Sequence, residues 1–335
     1  MKALVTGGLG FIGSNFIRYM LDRHEDCWIT NVDALRYGSN IDNLKDLEKS
    51  GRYELVCGDI ADPALISGLV ERSDVVINFA AETHVDRSIS HPDSFLQSNV
   101  MGVFNLLEAI RKKNTKCRFV QISTDEVYGD ILEGSFNEGD TIRPSSPYSA
   151  SKASGDVFVM AYARTYGLQA MITRCTNNYG RYQFPEKLIP KTILRAASTL
   201  KIPIYGTGKN VRDWIYVLDH CSAVERVIFD GRPGEVYNVS AGDEKANLEV
   251  VGDILEIMGL DDGLIEFVED RPGHDVRYSL DSSKIRNELG WSPKQSFKSG
   301  IKETVDWYLE NEAWWKPLMD SKVLHKTPWK LDWRI

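Results

Sequence analysis

The sequence predicts an α/β fold, a doubly wound parallel sheet with a smaller mixed α/β region in its C-terminal half. Three observations predict it. Short apolar runs alternate with helical patterns through the first half of the chain. A glycine-rich turn, Thr6–Gly13, separates the first apolar run from the first helical pattern. An acidic residue, Asp33, closes the second run. Alternation of this kind needs crossover helices, and these cover both faces of a parallel sheet.

The elements follow in order. Lys2–Thr6 reads as a buried strand and Phe11–Arg23 as a helix. Cys27–Val32, running on to Asp33, reads as the second strand, followed by Tyr53–Cys57, Val75–Phe79 and Arg118–Ser123. Asn99–Lys112 repeats apolar residues at three- and four-residue spacing and reads as a helix, as does Pro147–Tyr166. From about Asn177 onward, Phe184-Pro185, Ile202-Pro203, Gly206-Thr207-Gly208 and Arg271-Pro272-Gly273-His274 break the pattern. The expected division is a dinucleotide-binding unit over residues 1–176 and a substrate-binding region with a tail over 177–335. The chain is expected to cross between the two more than once. Trp314, Trp315, Trp329 and Trp333 are expected to anchor the tail on the body.

Composition narrows the function. The chain has 335 residues, enough for a sizeable core, with an ordinary 42% apolar and 26% charged content. A net charge of −8 argues against nucleic-acid binding, which needs a basic face. The five cysteines, Cys27, Cys57, Cys117, Cys175 and Cys221, include no Cys-x-x-Cys pair. Neither a disulfide framework nor a metal site is expected, and a reducing, cytoplasmic compartment fits better. No signal-peptide pattern opens the chain, and no apolar run approaches the ~18 residues of a membrane span.

Gly7, Gly10 and Gly13 form Gly-x-x-Gly-x-x-Gly between a strand and a helix. Such a turn lets a diphosphate approach the free N–H groups at the helix N-terminus. Asp33 stands where a carboxylate grips the adenosine ribose, about 20 residues beyond the glycines. Together these read as a Rossmann-type dinucleotide site. A carboxylate at Asp33 repels a 2′-phosphate, which favours NAD over NADP, while Arg36 nearby pulls the other way. Asp59, after the third strand, is expected to reach the adenine edge.

Tyr148 and Lys152 are four residues apart in a helical pattern and so share a face. A free tyrosine has a pKa near ~10, and bringing it close to neutral takes ~4 kcal/mol of differential stabilisation. The Lys152 ammonium and a positive nicotinamide ring are expected to supply it. A second pair at this spacing, Tyr205 and Lys209, encloses Gly206 and Gly208, which disfavour a helix. Thr124-Asp125-Glu126 follow the fifth strand, at the ligand end of the sheet. Two adjacent carboxyl groups there point different ways and can serve as acid and base on neighbouring carbons.

At these residues the chain resembles the dTDP-glucose 4,6-dehydratase family of extended short-chain dehydrogenases/reductases. The matching stretches are 6–13, Ala-Ala-Glu-Thr-His-Val-Asp-Arg-Ser at 80–88, Ser-Thr-Asp-Glu-Val-Tyr-Gly-Asp at 123–130 and Pro-Ser-Ser-Pro-Tyr-Ser-Ala-Ser-Lys at 144–152. Asn-Asn-Tyr-Gly at 177–180, Phe-Pro-Glu-Lys-Leu-Ile-Pro at 184–190, Arg-Asp-Trp at 212–214 and Asp-Arg-Pro-Gly-His-Asp at 270–275 complete the set. Thr83 and Ser98 depart from the pattern but keep a hydroxyl. The resemblance implies that Tyr148 deprotonates the sugar 4-hydroxyl, Glu126 removes the C5 proton and Asp125 protonates the departing 6-hydroxyl. It implies NAD contacts from Phe11, Ile12, Ala34, Leu35, Arg36, Ile60, Phe79, Ala80, Ala81, Thr83, Ser98 and Asn178, besides Tyr148 and Lys152. It implies nucleotide-sugar contacts from Thr83, Thr124, Asn177, Lys187, Leu188, Pro203, Ile204, Tyr205, Arg212, Asn247, Asp270, Arg271 and His274. It also implies a homodimer joined through the helices at 99–112 and 148–166. Two rivals remain: another sugar-nucleotide enzyme of this fold, such as a UDP-sugar 4,6-dehydratase or 4-epimerase, and a non-catalytic NAD-binding regulator.

Overall fold

The computed structural model describes residues 1–320 and 322–331, so Trp333 lies outside the described residues. In chain order the strands are β1 (Lys2–Thr6), β2 (Trp28–Asp33), β3 (Tyr53–Cys57), β4 (Val75–Asn78), β5 (Arg118–Thr124) and β6 (Ala170–Cys175). They continue with β7 (Asn177–Tyr179), β8 (Ile202–Tyr205), β9 (Val211–Tyr216), β10 (Val236–Val239), β11 (Glu244–Ala246) and β12 (Ile265–Val268).

A seven-stranded sheet runs in the order β10-β6-β5-β4-β1-β2-β3, every pairing parallel. The order reverses between β1 and β4, and ligands of such sheets bind beyond the strand ends at that point. The strands are apolar because both faces are covered. Val5, Ile77 and Val120 pack on one side, and Leu4, Val76 and Phe119 on the other. Full burial of such a side chain contributes about 1.5–3 kcal/mol.

The helix Phe11–Arg23 covers the first face beside Val217–Asp230. Gly102–Lys113 and Pro147–Tyr166 pack against each other on the second. Pro147–Tyr166 starts where the sequence places it because Ser146 and Ser149 close a capping box ahead of Pro147, and Gly167 ends it in the left-handed region. The helix expected at 99–112 differs at its start. A short helix, Asp93–Leu96, runs through a wide π turn at Gln97–Met101 before Gly102. Asn99 explains the turn: its amide donates to the Glu82 carbonyl and Ser151 Oγ and accepts from the Glu82 N–H.

β10 and Val217–Asp230 lie against the large sheet although they come late in the chain. The remaining C-terminal segments form two small sheets, β11-β9-β7 and β12-β8, around a core of Ile189, Trp214, Ile254 and Phe297. The tail packs by aromatic contacts. Trp314 Nε1 donates to Asn43 Oδ1 at 2.8 Å, Trp315 Nε1 to the Tyr308 carbonyl at 2.8 Å, and Trp329 meets Tyr205 edge-on at 4.8 Å. No helix among the described residues is long and apolar enough to cross a membrane.

Candidate active site

A cleft of about 290 Å³ runs along the C-terminal ends of β1, β2, β4, β5 and β6. The glycine turn forms one wall. Gly7 sits at φ +68, and a Cβ there would lie 2.6 Å from Ala80 Cα. A Cβ on Gly13 would lie 2.5 Å from the Gly7 carbonyl oxygen. The helix that follows has Gly10 as its N-cap, without a side-chain cap and without an acid in its first turn. Its first N–H groups therefore stay available to an anion.

Asp33 is buried at the end of β2. Its carboxylate accepts from the Leu9 N–H at 2.9 Å, the Leu35 N–H at 2.9 Å and Ser39 Oγ at 2.8 Å. These bonds fix its orientation at the cleft wall. Arg36 donates to Asp59 Oδ2 at 2.5 Å and to Ser98 Oγ at 3.2 Å. Its fork is thus occupied by protein partners rather than open to a 2′-phosphate. A dinucleotide without that phosphate fits these residues.

At the other end of the cleft stand Thr124, Asp125, Glu126, Tyr148, Lys152, Cys175 and Asn178. β5 delivers the first three: Thr124 ends the strand and caps the turn Asp125–Val127. Thr124 Oγ1 donates to Asp125 Oδ1 at 3.0 Å, while Asp125 Oδ2 is buried without a hydrogen-bond partner among the described residues. Burial and the neighbouring Glu126 push the Asp125 carboxyl up to about 8, so it holds its proton at neutral pH. Glu126 is also raised by burial, but Arg271, Arg212 and Lys187 oppose the shift. One acid is thereby kept protonated beside another that stays easier to ionise, the arrangement an acid–base pair needs.

Tyr148 and Lys152 share the cleft. Lys152 Nζ donates to the Ile122 carbonyl at 2.6 Å. Burial, followed by Glu126, Cys175 and Asp125, pushes the Tyr148 hydroxyl well above its ordinary value, and a Thr124 hydrogen bond opposes the shift. The nicotinamide charge expected to act with the lysine comes only with the bound cofactor.

A second pocket adjoins the first, with Glu126, Asn177 and Lys187 lining both. Its wall includes Leu188, Pro203, Ile204, Tyr205, Arg212, Asn247, Arg271 and His274. Arg212 is held by the Val211, Asp275 and Val276 carbonyls and lies 4.2 Å over the Tyr278 ring. Burial, then Arg271, lowers His274 to about 4, so its ring is neutral while Nδ1 contacts Asp270 Oδ1 at 2.6 Å.

Of the expected dinucleotide contacts, Gly7, Gly10, Phe11, Ile12, Gly13, Asp33, Ala34, Arg36, Asp59, Ile60, Phe79, Ala80, Ala81, Thr83, Ser98 and Asn178 line the cleft. Leu35 does not. It is exposed at φ 54, turned outward by the bond from its N–H to Asp33. Asp270 lines neither pocket and stands behind His274 as its partner. Tyr205 ends β8 rather than sitting on a helix, and Lys209 is exposed in the turn beyond it. His84, Asp86, Glu186, Lys191 and Tyr278 line the second pocket without having been singled out. Lys191 had a signal: it lies in the first turn of the helix Leu188–Ala197 that Lys187 caps.

A family model described as GDP-mannose 4,6 dehydratase matches residues 4–304. A dTDP-glucose 4,6-dehydratase of Streptomyces niveus is 48% identical, the match covering 95% of this chain and 96% of that protein. The solved dTDP-glucose 4,6-dehydratase of Streptomyces venezuelae, with NAD and TYD bound, superposes with a TM-score of 0.93 at 45% identity over 95% of this chain and 100% of that one. That of Bacillus anthracis, in complex with NAD, gives 0.89 at 48% identity over 95% of this chain and 100% of that one. With these identities over nearly its whole length, this chain belongs to the dTDP-glucose 4,6-dehydratase family.

Proposed function

We propose that the protein is a lyase that converts dTDP-glucose to dTDP-4-keto-6-deoxyglucose with NAD, a step of deoxysugar biosynthesis. The observation that carries this reading is the pair Asp125–Glu126 in the same cleft as Tyr148 and the glycine turn, with Asp125 held protonated. A 4-epimerase needs a tyrosine and a dinucleotide but has no use for an acid to expel a hydroxyl.

Gly7, Gly10, Gly13 and the Phe11 helix hold the dinucleotide diphosphate, and Asp33 takes the adenosine ribose. Bound NAD would supply the hydride chemistry, accepting a hydride from C4 of the sugar and making it available again for C6. As C4 becomes a ketone, Tyr148 would accept the proton of the 4-hydroxyl as the phenolate, a form that the positive nicotinamide ring of bound NAD would favour against the raised value of the free site. The ketone acidifies the C5 proton, which Glu126 removes. Asp125 gives its proton to the 6-hydroxyl, which leaves as water, and Glu126 returns a proton to C5. The protein is then left with Tyr148 protonated and Asp125 ionised. Thr124, which hydrogen-bonds both side chains, connects them for the reset.

Arg212, held by backbone carbonyls, and Lys187 bring positive charge to the second pocket that suits the diphosphate of the nucleotide sugar. The protein works in the cytoplasm as a homodimer, with no nucleic-acid or membrane partner. Met101, Val157 and Phe158, exposed on the paired helices, supply an apolar face for the second copy. The test is product analysis with dTDP-glucose and UDP-glucose side by side. The expected product is a keto sugar nucleotide lighter by one water, formed faster from dTDP-glucose. Equal turnover of both would remove the thymidine preference, and a 4-epimer would sink the reading.

A further inference from the structure

His84 lies in the partition between the two pockets and lines both of them. It is only 4% exposed, yet neither ring nitrogen has a hydrogen-bond partner among the described residues. Its surroundings do not offer one. Tyr37 stands edge-on at 5.0 Å and Phe184 at 6.0 Å. The Glu186 carboxylate is 3.8 Å from Nε2, beyond hydrogen-bond range, and accepts the Tyr37 hydroxyl instead. A core histidine with a purely structural role bonds at least one nitrogen, because a buried unpaired polar group costs about 1–3 kcal/mol. Two unpaired, buried nitrogens on a ring that lines two ligand pockets point to a partner that arrives with a ligand.

The chemistry of that partner follows from the charges. Burial, then Lys187, Arg87 and Lys191, hold the ring well below its ordinary pKa. The imidazole is neutral, with one N–H to donate. The same cations make the partition attractive to an anion. NAD and a nucleotide sugar each carry a diphosphate, so this step rests on the function proposed above. We propose that His84 is a diphosphate-binding residue, donating its ring N–H to a phosphate oxygen of one of the two ligands.

The test uses the whole protein, freed of nucleotide and labelled with ¹⁵N-histidine. NAD and thymidine diphosphate are added in separate titrations, and the His84 ring resonances are assigned among the chain's 6 histidines by comparison with His84→Gln. A shift of the His84 nitrogens with one ligand supports the proposal and tells which diphosphate is held. No shift with either overturns it. In parallel, His84→Phe is expected to raise either the Kd for NAD or the KM for dTDP-glucose by about 10- to 100-fold, with kcat affected less. His84→Gln, which keeps an N–H donor, is expected to recover part of the loss. A folded His84→Phe protein with both constants unchanged also overturns the proposal. If His84→Phe does not fold, the wild-type resonances decide alone. Wild-type turnover of dTDP-glucose is measured alongside. Its absence would sink the function reading, while the NAD titration would still decide the role of His84.

Discussion

Asp125→Asn isolates the acid proposed to expel the hydroxyl. Asparagine keeps the volume of the side chain and has no proton to transfer. At pH about 7, a carboxyl titrating near 8 is protonated in about nine molecules of ten, against about one in a thousand at its ordinary value. Burial and Glu126 thus raise the supply of the acid form about a thousandfold. A positioned general acid contributes about 10²- to 10⁴-fold, so loss of water from dTDP-glucose should fall by that factor. Oxidation at C4 should continue, because Tyr148 is untouched. Wild-type turnover should also decline as pH rises through about 8, and the variant should lack this limb. Quenched-flow mass spectrometry reads water loss, and stopped-flow absorbance reads reduced nicotinamide. An Asp125→Asn protein that dehydrates at the wild-type rate, or keeps the alkaline limb, would refute the assignment.

Tyr148→Phe should suppress both oxidation and dehydration by about 10²- to 10⁴-fold, since no other group takes the 4-hydroxyl proton; retained nicotinamide reduction would show that another base acts. Gly13→Ala puts a Cβ 2.5 Å from the Gly7 oxygen, an overpacking that costs about 1–3 kcal/mol, and should lower Tm and weaken NAD binding together. Asp125 also links stability to pH. Its folded pKa is raised, so its contribution is present below about pH 4 and is lost as pH rises through about 8. The Tm of Asp125→Asn relative to wild type should therefore climb between about pH 5 and pH 9, and a flat difference would contradict the shift. Phe158→Asp places a charge on the exposed face of the Pro147–Tyr166 helix and should leave a folded monomer by light scattering, where wild type is expected to run as a dimer.

Much of the fold was legible because the signals are local. β1 and the Phe11–Arg23 helix fall where the apolar run and the glycine turn place them, since a strand covered on both faces must be continuously apolar. The π turn at Gln97–Met101 was not legible, because the Asn99 bonds that shape it reach Glu82 and Ser151 across the fold. The adenosine end of the cleft is equally local, a turn and one acid at the end of the next strand. The second pocket is assembled from segments as far apart as His84, Lys191, Arg212 and Tyr278, and no spacing within any one segment marks it.

The amino-acid order alone determined five strands of the large sheet, and β6 and β10 came only with the structure. The order also determined the glycine cradle and the presence of Asp125, Glu126, Tyr148 and Lys152, the groups proposed to react. Only the tertiary structure decided their states. It sealed Asp125 beside Glu126 so that it keeps its proton, and it turned Lys152 onto the Ile122 carbonyl. It closed Arg36 onto Asp59 and left His84, between two pockets, without a hydrogen-bond partner among the described residues. The reason is that a side chain's identity is written in the chain, whereas its protonation and pairing are set by the dielectric and the charges that folding brings around it.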